Sequence, residues 1–123
     1  MKRLVLYLLM LLVLSAGCTS EAERKQMRSG LDSINARNRT DQPFTVQDVE
    51  PYVRFFDDHG TADDRLLAHY LLGRAYYEHG EAPMALQCYH DAIDCADTIS
   101  CDLKQLSRVY GQMALVFYYQ GLY

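Results

Sequence analysis

Apolar residues run unbroken from Leu4 to Leu14, and beyond that they recur only at helical intervals. Met27, Leu31 and Ile34 form one such series, and Val49, Tyr52, Val53 and Phe56 form a second. Each periodic stretch begins with capping chemistry. Ser20 precedes Glu23 by three, Thr45 precedes Asp48, and Thr61 precedes Asp64, the spacing that lets a helix's first side chains satisfy its free N–H groups. The spacing predicts a helix over about 21–37 with Gly30 as a weak point, and a polar loop across 35–43. A second helix covers about 46–58, ended by His59-Gly60, and Pro51 either kinks it or sits in the first turn of a helix that begins near Asp48. No segment calls for a strand.

The stretch 69–97 is the most informative. A first helix over about 63–79 brings His69, Leu72, Gly73 and Tyr76 onto one face, because offsets of three, four and seven align side chains. Gly73 lets a second helix approach closely, with Tyr76 filling the space beside it. Gly80 can take the left-handed conformation that ends a helix. Pro83 falls in the opening turn of the next, where its missing N–H costs little. Ala85, Tyr89 and Ala92 supply the answering face, small, large and small.

This series, with Gly80 between its halves, resembles one tetratricopeptide repeat, a helix–turn–helix unit of about 34 residues. Two positions depart from the family: His69 stands for the usual Trp, and Asp97 for the closing Pro. The pattern recurs at Tyr110, Met113, Ala114, Phe117 and Gly121 with an offset of 41, so the linker around 98–103 is lengthened. The resemblance covers about 46–123, with a complete repeat at about 66–99 and a partial one from about 107. It implies an all-α fold, a short right-handed solenoid of about five helices after the N-terminal segment. The 21–37 and 46–58 helices lack the repeat's diagnostic small residues, so a cap on the stack is the simpler reading. A last helix without its partner leaves an apolar face open, which reads as truncation, or as a short form whose last helix caps the stack.

The N-terminal run is eleven residues, too short to span a bilayer, which needs about 20, but suited to the apolar part of a secretory signal. Lys2 and Arg3 precede it, and Ser15-Ala16-Gly17-Cys18 follows. The whole resembles a bacterial lipobox, with Ser15 where a Leu is more usual. That implies a signal peptide over 1–17, acylation of Cys18, a tether and first helix over 18–44, and a helical domain over 45–123. Several acyl chains would anchor the protein firmly. Thr19 rather than Asp follows the cysteine, so the expected address is the cell envelope at the outer membrane. The competing reading makes 4–14 a buried helix and Cys18 an ordinary thiol.

Charge narrows the partners. The formal net charge is −4, and without residues 1–17 the basic count falls from 12 to 10 against 16 acids, giving −6. An acidic chain with no basic block is a poor nucleic-acid binder. Trp is absent and Tyr numbers ten, so tyrosine supplies most of the large aromatic contacts. The resemblance places Leu67, Tyr70, Arg74, Tyr77 and Glu78, with Arg108, Leu115, Tyr118 and Tyr119 of the next unit, along a concave groove for a protein or peptide partner. Tyr70, Arg74 and Tyr77 fall at i, i+4 and i+7, which sets a cation between two rings. Such a patch suits a carboxylate-bearing peptide, or an acidic or sugar ligand. Equally, these tyrosines could pack beneath a C-terminal segment or a neighbouring domain.

The four histidines show no metal-ligating pair, no Ser-His-Asp or Cys-His set is evident, and no phosphate loop is present. The acidic pairs Asp57-Asp58 and Asp63-Asp64 lie beside helix ends and read as caps. Cys88 and Cys95 are two turns apart, too far for a disulfide. Cys95 and Cys101 can pair if the linker folds back, and small buried apolar roles are the plainer expectation. The expectation is a non-enzymatic, cofactor-free and metal-free lipoprotein adaptor. The alternative is a ligand-binding lipoprotein for nutrient or glycan capture, or a gene fragment with no independent function.

Overall fold

A computed structural model describes residues 1–16, 19–96 and 100–121. Among them are six helices and no strand: α1 (Lys2–Ala16), α2 (Glu21–Arg39), α3 (Val46–His59), α4 (Ala62–Glu78), α5 (Ala82–Cys95) and α6 (Leu103–Tyr119). The all-α class follows. Cys18 lies outside the described residues, as do Gly17 and 97–99 in the linker.

Local chemistry sets the helix starts. At α3, Asp48 N–H donates to Thr45 Oγ1 at 3.1 Å and Thr45 N–H donates to Asp48 Oδ2 at 2.9 Å, a complete capping box. It fixes the start at Val46 and leaves Pro51 inside the helix rather than in its first turn. Thr61 and Asp64 make the same reciprocal pair at 3.1 and 3.0 Å at the start of α4. At α2, Ser20 Oγ accepts from Glu23 N–H at 3.1 Å. This helix continues to Arg39, past the expected end at 37. α6 begins at Leu103, behind the Asp102 cap.

The turn between α4 and α5 follows the sequence closely. Gly80 takes φ of 77°, Glu81 N–H donates to Tyr76 C=O at 3.0 Å, and Gly80 N–H donates to Tyr77 C=O at 3.0 Å. Those two crossed bonds are a Schellman stop, which needs a left-handed residue at Gly80. Pro83 then lies in the first turn of α5.

α4 is the centre of the packing. It lies against α3 and α5, its neighbours in sequence, and also touches α2 and α6. Leu66, Ala68, Tyr70, Leu71, Gly73 and Ala75 are all buried, which takes in nearly every side of the helix. Tyr89 of α5 lies directly on Gly73, and a Cβ placed there would come 2.5 Å from Tyr89 Cε1. Tyr52 of α3 lies in the same way on Gly30 of α2. That second pairing gives Gly30 a packing role, where the sequence marked only a weak point and no small contact residue for this helix pair.

Two elements stand apart. Among the described residues, α1 contacts no other helix, and every residue from 1 to 10 is exposed. On α6, Val109 and Val116 are buried, while Tyr110, Leu115 and Phe117 are exposed. The Tyr110, Ala114 and Phe117 face therefore lies open.

One ion pair ties α2 to α4. Arg28 Nε and Nη2 donate to the two oxygens of Asp64 at 3.0 and 2.8 Å. Burial works to raise the Asp64 pKa, but the Arg28 and Thr61 hydrogen bonds outweigh it and hold the carboxyl below its ordinary value of 3.8. A carboxylate depressed by folding stabilises the fold above its unfolded pKa, and that contribution disappears as pH falls through the folded value. Asp64→Asn should therefore cost about 1 kcal/mol at pH 7, where cap and pair are both present, and much less near pH 2. Urea midpoints measured at both pH values check this, and an equal loss at each would contradict it.

Candidate functional site

The sequence-selected cation, Arg74, sits on α4 with its side chain only 15% exposed. Its guanidinium donates to Asn38 Oδ1 of α2 at 3.2 Å, to Gln112 Oε1 of α6 at 2.8 Å, and to Glu78 Oε1 of its own helix at 2.7 Å. It also lies over the Tyr77 ring, 5.7 Å from the centroid. One side chain thus links three helices. The sandwich expected from the spacing forms on one side only. Tyr70 is 3% exposed, its ring faces Tyr89 with centroids 6.0 Å apart, and its hydroxyl accepts a long 3.5 Å bond from Asn38 Nδ2.

Tyr70, Arg74 and Arg108 nevertheless line one cavity of about 280 Å³, joined by Asn38 and Arg39 from α2 and Gln112 from α6. Arg108 is exposed there and reaches Gln105 Oε1 at 3.5 Å. Glu78 lines an adjoining cavity of about 260 Å³ under the 41–44 loop, with Arg74 between the two. Tyr118 and Tyr119 lie near the end of α6, exposed and edge to face at 5.4 Å, and line neither cavity. Asn38, Arg39 and Gln112 were not singled out in the sequence. Only Arg39 carried a signal, as a cation complementing the dipole at the end of α2.

A third cavity, about 420 Å³, shares Arg39 with the first. Its walls hold Asp32, Asp63, Asp64 and Asp102 against Arg28 and Arg39. The groove across α2, α4 and α6 therefore has an arginine-lined half, near the end of α2, and a carboxylate-rich half, near the starts of α4 and α6. Such a charge gradient gives an extended ligand a preferred direction.

The remaining chemistry is modest. Cys88, Cys95 and Cys101 are free thiols, and burial pushes Cys88 up to about 12 and Cys95 upward as well, so neither supplies a ready thiolate. His69 Nε2 lies 2.8 Å from Asp57 Oδ1. On the outer side of α5, ligand atoms of His90, Asp91 and Asp94 lie within 4.8 Å of one another, a set with one histidine that no paired-histidine spacing marks. His90 and Asp94 are exposed, and Asp91 already accepts from Gln87 Nε2 at 2.9 Å.

Comparison with protein-family models, curated proteins and solved structures finds no match to this chain. Among the described residues, no helix is long and apolar enough to cross a membrane.

Proposed function

We propose that this chain is a membrane-tethered interaction module of the tetratricopeptide kind, an adaptor that takes a segment of a partner protein into the groove across α2, α4 and α6. The observation carrying this reading is that alternate helices meet: α4 touches both α2 and α6, and together they line one charged groove. The Gly73–Tyr89 and Gly30–Tyr52 contacts support the repeat assignment, because each seats a tyrosine of one helix on a glycine of the helix before it. The short right-handed solenoid belongs to this proposal.

The tether is part of the same reading. An apolar α1 with no helix packed on it among the described residues suits a leader that is removed, and Cys18 behind it suits acylation. Thr19 Oγ1 lies 3.0 Å from His59 Nδ1 at the end of α3, which holds the start of the domain against the bundle. An anchor at Cys18 then sets the end bearing the starts of α2 and α4 towards an outer membrane.

One paired experiment tests both halves. Cys18→Ser should release the protein from membranes or accumulate the precursor, and unchanged lipid labelling would end the lipoprotein reading. In the tethered protein, Arg39→Ala with Arg108→Ala should abolish cross-linking to a single envelope protein while leaving the thermal midpoint within about 2 °C, because both side chains are exposed. Glycan binding that survives this change, with no protein captured, would favour nutrient capture instead.

A further inference from the structure

The carboxylate-rich half of the groove holds a feature that helix capping leaves unexplained. Three of its acids already have work inside the fold. Asp64 pairs with Arg28, Asp63 Oδ1 accepts the Asp102 N–H at 2.9 Å, and Asp102 Oδ1 accepts the Gln105 N–H at 3.2 Å. Gln105 is different. The residue is 5% exposed and lines the cavity, yet its carboxamide nitrogen has no hydrogen-bond partner. Asn35, on the α2 wall of the same cavity, leaves its Oδ1 without one. Burying an unpaired amide donor or acceptor costs about 1–3 kcal/mol each, and buried polar side chains nearly always pair. Here an orphan donor and an orphan acceptor share one cavity with Asp32, Asp63 and Asp102, none of which has an ion-pair partner among the described residues.

We infer that this half of the groove binds a lysine-bearing stretch of extended peptide, with the ammonium among Asp32, Asp63 and Asp102 and a neighbouring peptide group bonded to Gln105 and Asn35. Each element of that ligand answers a feature of the wall. A peptide unit offers a carbonyl to accept from Gln105 Nε2 and an N–H to donate to Asn35 Oδ1. Three carboxylates call for a cation. A bare metal ion fits poorly, because among the described residues the acidic side chains converging closely enough for one are on α5, with His90, and not here. An apolar ligand would leave both amides unpaired, and an anion would meet the carboxylates. Both orphan atoms have almost no surface open to water, so binding turns the two carboxamides about their terminal torsions, which are soft. Through Arg39 the cavity joins the arginine-lined half, so a bound segment carries its basic residue towards the starts of α4 and α6 and an acidic one towards Arg39 and Arg108.

The inference rests on the groove's being a peptide site and narrows what that peptide is. The full chain, ¹⁵N-labelled in detergent micelles, is titrated with N-acetyl-lysine N′-methylamide while the side-chain amide signals of Gln105 and Asn35 are followed. Both signals should shift saturably, and the uncharged norleucine analogue should leave them in place. Asp32→Asn, at an exposed position without a bond to lose, should weaken lysine binding about tenfold. Gln105→Met should abolish the Asn35 response while keeping or raising the thermal midpoint, since it removes a donor that has no partner in the folded protein. Equal shifts from the norleucine analogue, or lysine shifts indifferent to both variants, overturn the inference. If the glutamate analogue shifts the Arg39 and Arg108 signals and the lysine probe shifts nothing, the cation subsite falls and the peptide groove stands. If no probe of either charge perturbs the groove, both fall together.

Discussion

Gly73→Ala should destabilise the protein by about 1–3 kcal/mol, even though alanine is the better helix former by about 1 kcal/mol. The new methyl group would stand 2.5 and 2.6 Å from two ring carbons of Tyr89 and 3.2 Å from the Ala85 carbonyl oxygen. Tyr89 cannot yield, because it is wholly buried, and the opposing carbonyl is backbone. α4 and α5 must therefore separate along their whole contact. Gly111 is the control. It lies mid-helix in α6 with nothing within 4 Å of its would-be Cβ, so Gly111→Ala should stabilise by up to about 1 kcal/mol. The opposite signs separate close approach from propensity. Tyr89→Leu should recover part of the loss in the Gly73→Ala background, giving a coupling of about 0.5–3 kcal/mol in a double-mutant cycle followed by urea denaturation. Equal effects of the two glycine substitutions would show that the α4–α5 contact is looser than its geometry implies.

Tyr89 brings a second consequence of burial. Its hydroxyl has no hydrogen-bond partner, and burial raises its pKa well above the ordinary tyrosine value, with the nearby Arg74 only partly opposing that.

The hairpin of α4 and α5 was legible in the sequence because its determinants are local. A left-handed glycine, a proline one turn on, a threonine three residues before an aspartate and a glycine opposite a tyrosine each act within a few residues or one helix face. The relation of α2 to α3 was harder to read. Gly30 and Tyr52 are far apart in the chain, and their pairing shows only once the two helices lie side by side. Pro51 left two starts open for α3, and the reciprocal bonds of Thr45 and Asp48 decide between them.

The groove was half legible, for a related reason. Arg74, Tyr70 and Arg108 came from repeat spacing, and the structure does bring them to one cavity. Periodicity could not say which flanks of α4 are covered, because a helix buried on nearly all sides has no single apolar face to read. Tyr70 sits at a groove position by spacing and in the core by packing. Asn35, Asn38, Gln105 and Gln112 are carboxamides on helices that meet only in three dimensions, and no spacing rule marks such residues.

Arg74→Ala should cost about 2–4 kcal/mol of stability, placing this arginine among the fold's principal struts. The side chain is mostly buried and makes charge-assisted bonds to α2, to α6 and within α4, and its removal strands the Asn38 and Gln112 oxygens between helices. Leaving half-buried acceptors unpaired adds to the loss of the bonds themselves. Arg74→Lys should restore only part of it, because an ammonium cannot present a planar fork to three acceptors in different directions or stack on the Tyr77 ring in the same way. The alternative is that Arg74 is held for a ligand carboxylate. On that view Arg74→Ala would leave the urea midpoint unchanged and abolish partner capture, as Arg108→Ala is expected to do. The two arginines line one cavity but differ in exposure, so measuring both variants for stability and capture assigns the strut and the ligand group separately. A guanidinium already satisfied by Asn38, Gln112 and Glu78 offers little to an incoming anion, which leaves Arg39 and Arg108 as the cations that meet it.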